Sequence, residues 1–141
     1  MRALLQRVSS ASVRVDDKVV AEIGTGLLVF AAAARTDTPA IARVLAGKIG
    51  QLRILRGERA LVDEPAAAAL IVSQFTLYAD TSRGRRPSWA AAAPRELAQP
   101  LLETLAAELE SLGITVRSGV FGADMQVALV NDGPVTLLLD I

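Results

Sequence analysis

The sequence predicts an α+β fold: a layered β/β/α domain of barrel-like, antiparallel-rich sheet with two helices. Three observations carry this. About seven or eight short runs have strand character, from β-branched residues or two-residue alternation. Only two stretches repeat apolar residues at helical spacing. Most links between neighbouring strands are too short for a crossover, which favours antiparallel pairing. Two helices cover only part of so much sheet, so the chain is expected to be dimeric, a second copy covering the rest.

Arg2 to Val8 reads as a first strand. Ala11, Val13 and Val15, alternating with Ser12 and Arg14, read as a second. Asp16-Asp17-Lys18 turns the chain, and Val19 to Ile23 returns beside it. After Gly24-Thr25-Gly26, Leu27 to Ala34 is apolar throughout, like a strand covered on both faces. Thr36-Asp37-Thr38-Pro39 starts a helix, with a capping hydroxyl and proline at the first helical position. Ile41, Val44, Leu45, Lys48, Ile49 and Leu52 follow at helical spacing. Arg53 to Leu55 reads as a short strand, paired across Arg56-Gly57-Glu58-Arg59 with Ala60 to Val62, and Glu64 to Ala69 as a loop.

Leu70 to Asp80 begins as a buried strand, and then polar groups enter in alternation. A strand there puts Gln74, Thr76 and Tyr78 on one face, and Ser73, Phe75 and Leu77 on the other. Asp80 to Pro94 has no clean period. Leu97, Leu101, Leu105, Leu109 and Leu112 mark an amphipathic helix from Pro94 to Leu112, which Pro100 should kink or restart and Gly113 should cap. Ile114 and Val116, then Met125 to Val130, are strands. Asn131-Asp132-Gly133-Pro134 is a sharp turn, and Val135 to Ile141 closes the sheet.

The chain has 141 residues, 52% of them apolar, with fifteen charges of each sign. This fits one domain, residues 1–141, able to bury a core without staples. Zero net charge argues against bulk nucleic-acid binding and leaves that role to a local patch. There is no cysteine and no histidine. Disulfides, thiolate sites, Ser-His-Asp catalysis and imidazole bases are therefore excluded, and no metal or cofactor is expected. No sustained apolar run precedes Arg7, and Gly26 to Ala34 is too short to cross a bilayer. A soluble, cytoplasmic protein with no membrane contact is expected.

Three features could carry chemistry: Ser73-Gln74-Phe75-Thr76, Asn131 to Thr136, and Arg83-Gly84-Arg85-Arg86. Each also has a plainer reading: a sheet margin, a turn, a solvated basic loop. A bond before proline is the one place where a cis peptide is cheap, about 0.5–1 kcal/mol above trans. Glycine beside it leaves the carbonyls uncovered, so the pair can form a wall free of side chains. Three guanidiniums around a glycine can clamp phosphates.

These residues resemble the D-aminoacyl-tRNA deacylase family, the D-Tyr-tRNA deacylases. Ser-Gln-Phe-Thr-Leu-Tyr-Ala-Asp at 73–80, Gly-Arg-Arg-Pro-Ser at 84–88, Phe-Gly-Ala-Asp-Met at 121–125 and Asn-Asp-Gly-Pro-Val-Thr at 131–136 carry the resemblance. So do the opening Met-Arg-Ala, Gln6-Arg7-Val8, and Lys48-Ile49 with Leu52-Arg53-Ile54. The likeness covers nearly the whole chain. It departs at Leu55 to Ala69, shorter than the family's acidic segment, and at Ala31 to Arg35, where the family carries glycine.

The resemblance implies a homodimer with its site at the interface, cleaving the ester between a D-amino acid, or glycine mischarged on tRNA(Ala), and the terminal ribose of tRNA. It implies that a Gly133-cis-Pro134 pair enters the partner's pocket and excludes an L side chain. Arg7 and Met125 match positions that hold the pair, and Phe121 lies in a matching motif. Ser73, Gln74, Phe75 and Thr76 line the reaction centre. With no base in view, Thr76 is expected to orient water or substrate, amides near Gln74–Phe75 to hold the oxyanion, and the ribose 2′-hydroxyl to assist, with Thr76 as nucleophile the alternative. Arg83, Arg85 and Arg86 are expected on acceptor-stem phosphates. Two alternatives remain: an L-seryl-tRNA editing module of the kind found in threonyl-tRNA synthetases, and a non-enzymatic small-molecule-binding dimer.

Overall fold

The computed structural model describes every residue from Met1 to Ile141. The chain runs β1 (Arg2–Val15), β2 (Lys18–Ile23), β3 (Gly26–Ala32), α1 (Pro39–Gln51), β4 (Ala68–Ser73), α2 (Arg95–Ser111), β5 (Thr115–Ser118) and β6 (Gln126–Asp140). Short 3₁₀ turns occupy Arg56–Glu58, Leu61–Asp63 and Phe75–Tyr78. The α+β class and the two helices are as expected.

β1 is one strand where the sequence suggested two. Ala3 and Leu5 point into one core, whereas Val8, Ala11 and Val13 point into another. Strict alternation would return Ala11 to the face of Leu5. The pairing with β6 slips between Gln6 and Ser10, and a bulge there changes which parity faces inward. The exposed Ser9 and Ser10 mark the change.

The strand order is β2-β1-β3-β4-β5, with β6 along β1. β6 takes one edge of β1, and β3 and β2 share the other. β2 also reaches β4 and β5, so the sheet curls into a nearly closed barrel. β1 is antiparallel to β2, β3 and β6, but β3–β4 and β4–β5 are parallel. Each parallel link contains a helix, the crossover such a pair needs.

β4 shows why its sequence is wholly apolar. Ala69 and Ile71 face the helices, packing near Leu45, Ile49, Leu105 and Leu109. Ala68, Leu70 and Val72 face the barrel interior with Leu28, Val13 and Ile23. Gly26 lets β3 approach, since a Cβ there would lie 1.9 Å from the Ala68 carbonyl oxygen.

Thr38 caps α1, accepting from the Ile41 amide at 3.4 Å, and Pro39 opens the helix. Val44, expected on the buried stripe, is 59% exposed; Ala42 and Ala46 fill the stripe instead. α2 runs through Pro100 without a break, burying Leu101, Leu102, Leu105 and Leu109 but not Leu97 or Leu112. The proline lies past the first turn and costs one rung: with no N–H it cannot bond the Glu96 carbonyl. Residues 53–62 form no strand pair; a single bridge joins Leu55 to Arg59. No helix is long and apolar enough to cross a membrane.

Candidate active site

β4 ends at Ser73, where its partner strand gives out. The Gln74 amide makes one more bond, to the Ala31 carbonyl at 2.8 Å, and the chain then winds into the 3₁₀ turn Phe75–Tyr78. This replaces the expected strand to Asp80. Side chains three apart now share a face, so the two predicted faces do not form. Leu77 N–H donates to the Gln74 carbonyl at 3.1 Å and Ala79 N–H to that of Thr76 at 3.0 Å, whereas the Phe75 and Thr76 amides have no protein acceptor. The first N–H groups of a helical turn have none inside it. The free donors are therefore Phe75 and Thr76, one residue beyond the expected Gln74–Phe75.

Gln74 Nε2 donates to Thr76 Oγ1. An amide is no base, whichever way its ends point. Thr76 thus has a partner that orients it and none that takes its proton. Arg2 pins the far end of the turn: it donates to the Leu77 carbonyl at 3.1 Å and to Asp140 at 2.9 Å, with its guanidinium 4.6 Å from the Tyr78 ring centroid. Burial, reinforced by the carboxylates of Asp37 and Asp140, pushes the Tyr78 hydroxyl up to about 12.

A cavity of about 250 Å³ opens at the carboxyl ends of β3 and β4. Ala31 to Ala33, Ala93 and Ala98 leave the space, and Ser73, Gln74, Phe75 and Phe121 surround it. Arg95 joins them, 5.7 Å from the Phe121 ring. A second cavity of about 240 Å³, lined by Val72, Ser73, Gln74, Phe75 and Met125, lies on the other side of the same corner. Ser73, Gln74, Phe75, Phe121 and Met125 thus surround one corner. Thr76, half-buried, lines neither cavity. No group of three or more acidic side chains converges to hold a metal.

The arginine loop begins next to this corner. Asp80 and Ser88 exchange main-chain bonds of 2.8 and 3.0 Å, closing the segment between them. The Ser82 amide donates to the Asp80 carboxylate at 2.9 Å; hydrogen bonding from Ser82 holds that carboxyl below its usual value. Arg83, Arg85 and Arg86 are exposed and take part in none of the chain's ion pairs. Trp89, just after the loop, meets Phe75 edge-on at 5.6 Å.

Asn131 to Thr136 corrects two expectations. It is not a turn between two strands: both halves of β6 pair with β1 in one direction, Val8 opposite Asn131 and Gln6 opposite Thr136. Four residues, 132–135, therefore loop out opposite Arg7. The peptide bond before Pro134 is trans, since the chain has no cis bond. Gly133 makes the change of direction instead, at φ +99°, a left-handed conformation open to glycine. Asn131 Nδ2 donates to Thr136 Oγ1 at 2.9 Å and closes the base of the loop.

Arg7 reaches the loop from β1: its Nε donates to the Asp132 carbonyl at 2.9 Å and its Nη1 to the Ile54 carbonyl at 3.0 Å. Met125 does not touch the loop of its own chain; it lies at the Ser73 corner. Gly133 and Pro134 are exposed and line neither cavity there. The reading of the sequence missed Arg95 and Trp89, which carry no motif of their own. It also missed Arg56, whose fork grips Asp132 at 2.6 and 3.0 Å.

The chain belongs to the D-Tyr-tRNA(Tyr) deacylase family, whose family model matches residues 4–140. It is 58% identical to a D-aminoacyl-tRNA deacylase of Roseiflexus castenholzii, over 99% of this chain and 92% of that one. It is 55% identical to another from Kineococcus radiotolerans, over 99% of both. Among solved structures it is similar to one described as c-Myc DNA Unwinding Element Binding Protein, with TM-score 0.91, 33% identity, and 100% and 99% of the two chains covered. A probable eukaryotic D-amino acid tRNA deacylase shares the fold at TM-score 0.89 and 20% identity, over 99% of this chain and 98% of that one.

Proposed function

We propose that this chain hydrolyses the ester joining a D-amino acid, or glycine, to the 3′-terminal ribose of tRNA. The observation that carries the reading is the family match over residues 4–140. The geometry supports it in three places: free amides at Phe75, which lines the cavity, and at Thr76 next to it, a hydroxyl held by an amide, and unpaired arginines beside them.

Water adds to the ester carbonyl carbon, the bond to the ribose 3′-oxygen breaks, and that oxygen takes the proton. The Phe75 and Thr76 amides are the donors for the oxyanion. The Thr76 hydroxyl, oriented by Gln74, positions the water or the ribose 2′-hydroxyl that relays the proton. Ser73 and Phe121 line the reacting centre, and Arg83, Arg85 and Arg86 take acceptor-stem phosphates.

The main chain of Gly133–Pro134, from a second copy, closes the cavity and excludes an L side chain by clash. Met125 meets it and Arg7 holds it from behind, a reading supported by Met125 sharing a cavity with Ser73 and by the Arg7 bond to the Asp132 carbonyl. The homodimer is supported by the outer edge of β6, which pairs with no strand and exposes Val130 and Leu138. Residues 1–141 act as one domain, in the cytoplasm where the substrate is.

Release of amino acid from D-tyrosyl-, L-tyrosyl-, glycyl- and L-seryl-tRNA tests this. D-tyrosine and glycine should be released, with L-tyrosine about 100-fold slower or more. Equal D and L rates would remove the wall. Preferred release of L-serine would assign the editing activity, and no release from any substrate would leave a binding protein.

A further inference from the structure

We propose that Arg56 is a positioning residue for the Gly133–Pro134 step: it latches Asp132 and so fixes the direction in which the looped-out main chain points. The inference rests on the reading above that this step screens handedness.

Residues 132–135 lie opposite Arg7 alone, so the regular ladder does not set their conformation. The base is closed by Asn131, which bonds Thr136 and accepts from the Val135 amide at 3.3 Å. Beyond it, side chains grip only Asp132. Arg56 Nη2 lies 2.6 Å from Oδ1 and Nε 3.0 Å from Oδ2, a two-pronged grip. Arg7 Nε lies 3.4 Å from Oδ2 while donating to the Asp132 carbonyl. One carboxylate thus receives two guanidiniums, from β1 and from the 3₁₀ turn Arg56–Glu58.

The two arginines differ in kind. Arg7 is largely buried, with a side chain 12% exposed, and a Cβ on Gly133 would lie 2.2 Å from its Nη2. Arg56 is 69% exposed and contributes nothing to the core. Its anchor is firm, because Leu55 beside it is buried and its amide bonds the Arg59 carbonyl at 3.0 Å. An exposed pair adds little to global stability, so a fork kept there has a local effect. A fork fixes two carboxylate oxygens at once, and hence the rotation of Asp132 and of the peptide leading to Gly133; a lysine fixes one point.

Arg56→Gln, Arg56→Lys, Asp132→Asn and the Arg56→Gln/Asp132→Asn double variant test the latch. Amide exchange at Val135, whose N–H is bonded at the base of the loop, should quicken at least tenfold in Arg56→Gln and Asp132→Asn, and less in Arg56→Lys. The melting temperature should move by no more than about 2 °C. The preference for D- over L-tyrosyl-tRNA should fall about tenfold, through a rise in L turnover, and the double variant should be no worse than the singles.

Wild-type exchange and preference in a folded Arg56→Gln protein would overturn the latch. So would losses that add in the double variant, or a drop in melting temperature of many degrees, which would make Arg56 a support of the whole fold. If the wild-type chain releases no D-tyrosine, the proposed activity fails, and the exchange rates still decide the latch.

Discussion

Thr76 carries a hydroxyl with an orienting neighbour and no base. A group that only aims a water affects turnover far more than binding. Thr76→Ala should therefore lower kcat on D-tyrosyl-tRNA about 100-fold, as misplacing a reactant does, with KM nearly unchanged. Intact-mass analysis of quenched turnover should find no aminoacyl adduct; an adduct on Thr76 would make it the nucleophile instead. Tyr78 gives a second test at the level of one residue. Its hydroxyl is raised to about 12, chiefly by burial, so the folded chain keeps this proton after an unfolded chain has lost it. The native state is therefore favoured by this group below pH 10, and that contribution is lost as pH rises from 10 to about 12. Denaturant titrations across that window should show the decline, and Tyr78→Phe should flatten it.

Among the elements, the 80–88 loop is the one whose proposed part in the reaction is purely electrostatic. Replacing Arg83, Arg85 and Arg86 by alanine should reduce the slope of log affinity for tRNA against log salt by about 0.7–0.9 for each phosphate left without its arginine. An unchanged slope would return the loop to a structural role. The helices were readable in advance because their signals are local: a threonine, a proline, a leucine every third or fourth place. The corner at Ser73 was not. Its polar residues alternate like a strand, and only the loss of a partner beyond Ala32 turns them into a 3₁₀ turn. Asn131 to Thr136 has the composition of a hairpin turn, yet both flanks pair with the same strand. Nothing near it in sequence announces that. Asp132 owes its place to Arg7 and Arg56, 125 and 76 residues away in sequence.

At the scale of the molecule, the candidate site is divided: the Ser73 corner lies in one place and the Gly133 loop in another, with no cavity shared. If two copies complete each other, two crippled chains can repair one site between them. Mixing Thr76→Ala chains with chains altered at Gly133–Pro134 should restore about a quarter of the wild-type sites with D-selective turnover, since half the dimers are mixed and each has one whole site. Recovery no greater than the sum of the parents would place the whole site within one chain. Spacing and composition could announce the layers but not this division, because short connections speak only for neighbouring strands; the expectation of a site split between two copies rests on the family resemblance alone. β1 adds a constraint of another kind. It is the axle of the molecule, gripped along both sides, and the slip near Ser9 sets which residues turn inward beyond it. One residue deleted before Arg7 would turn the guanidinium to the opposite side and bring Val8 under the glycine. The first eight positions must keep count.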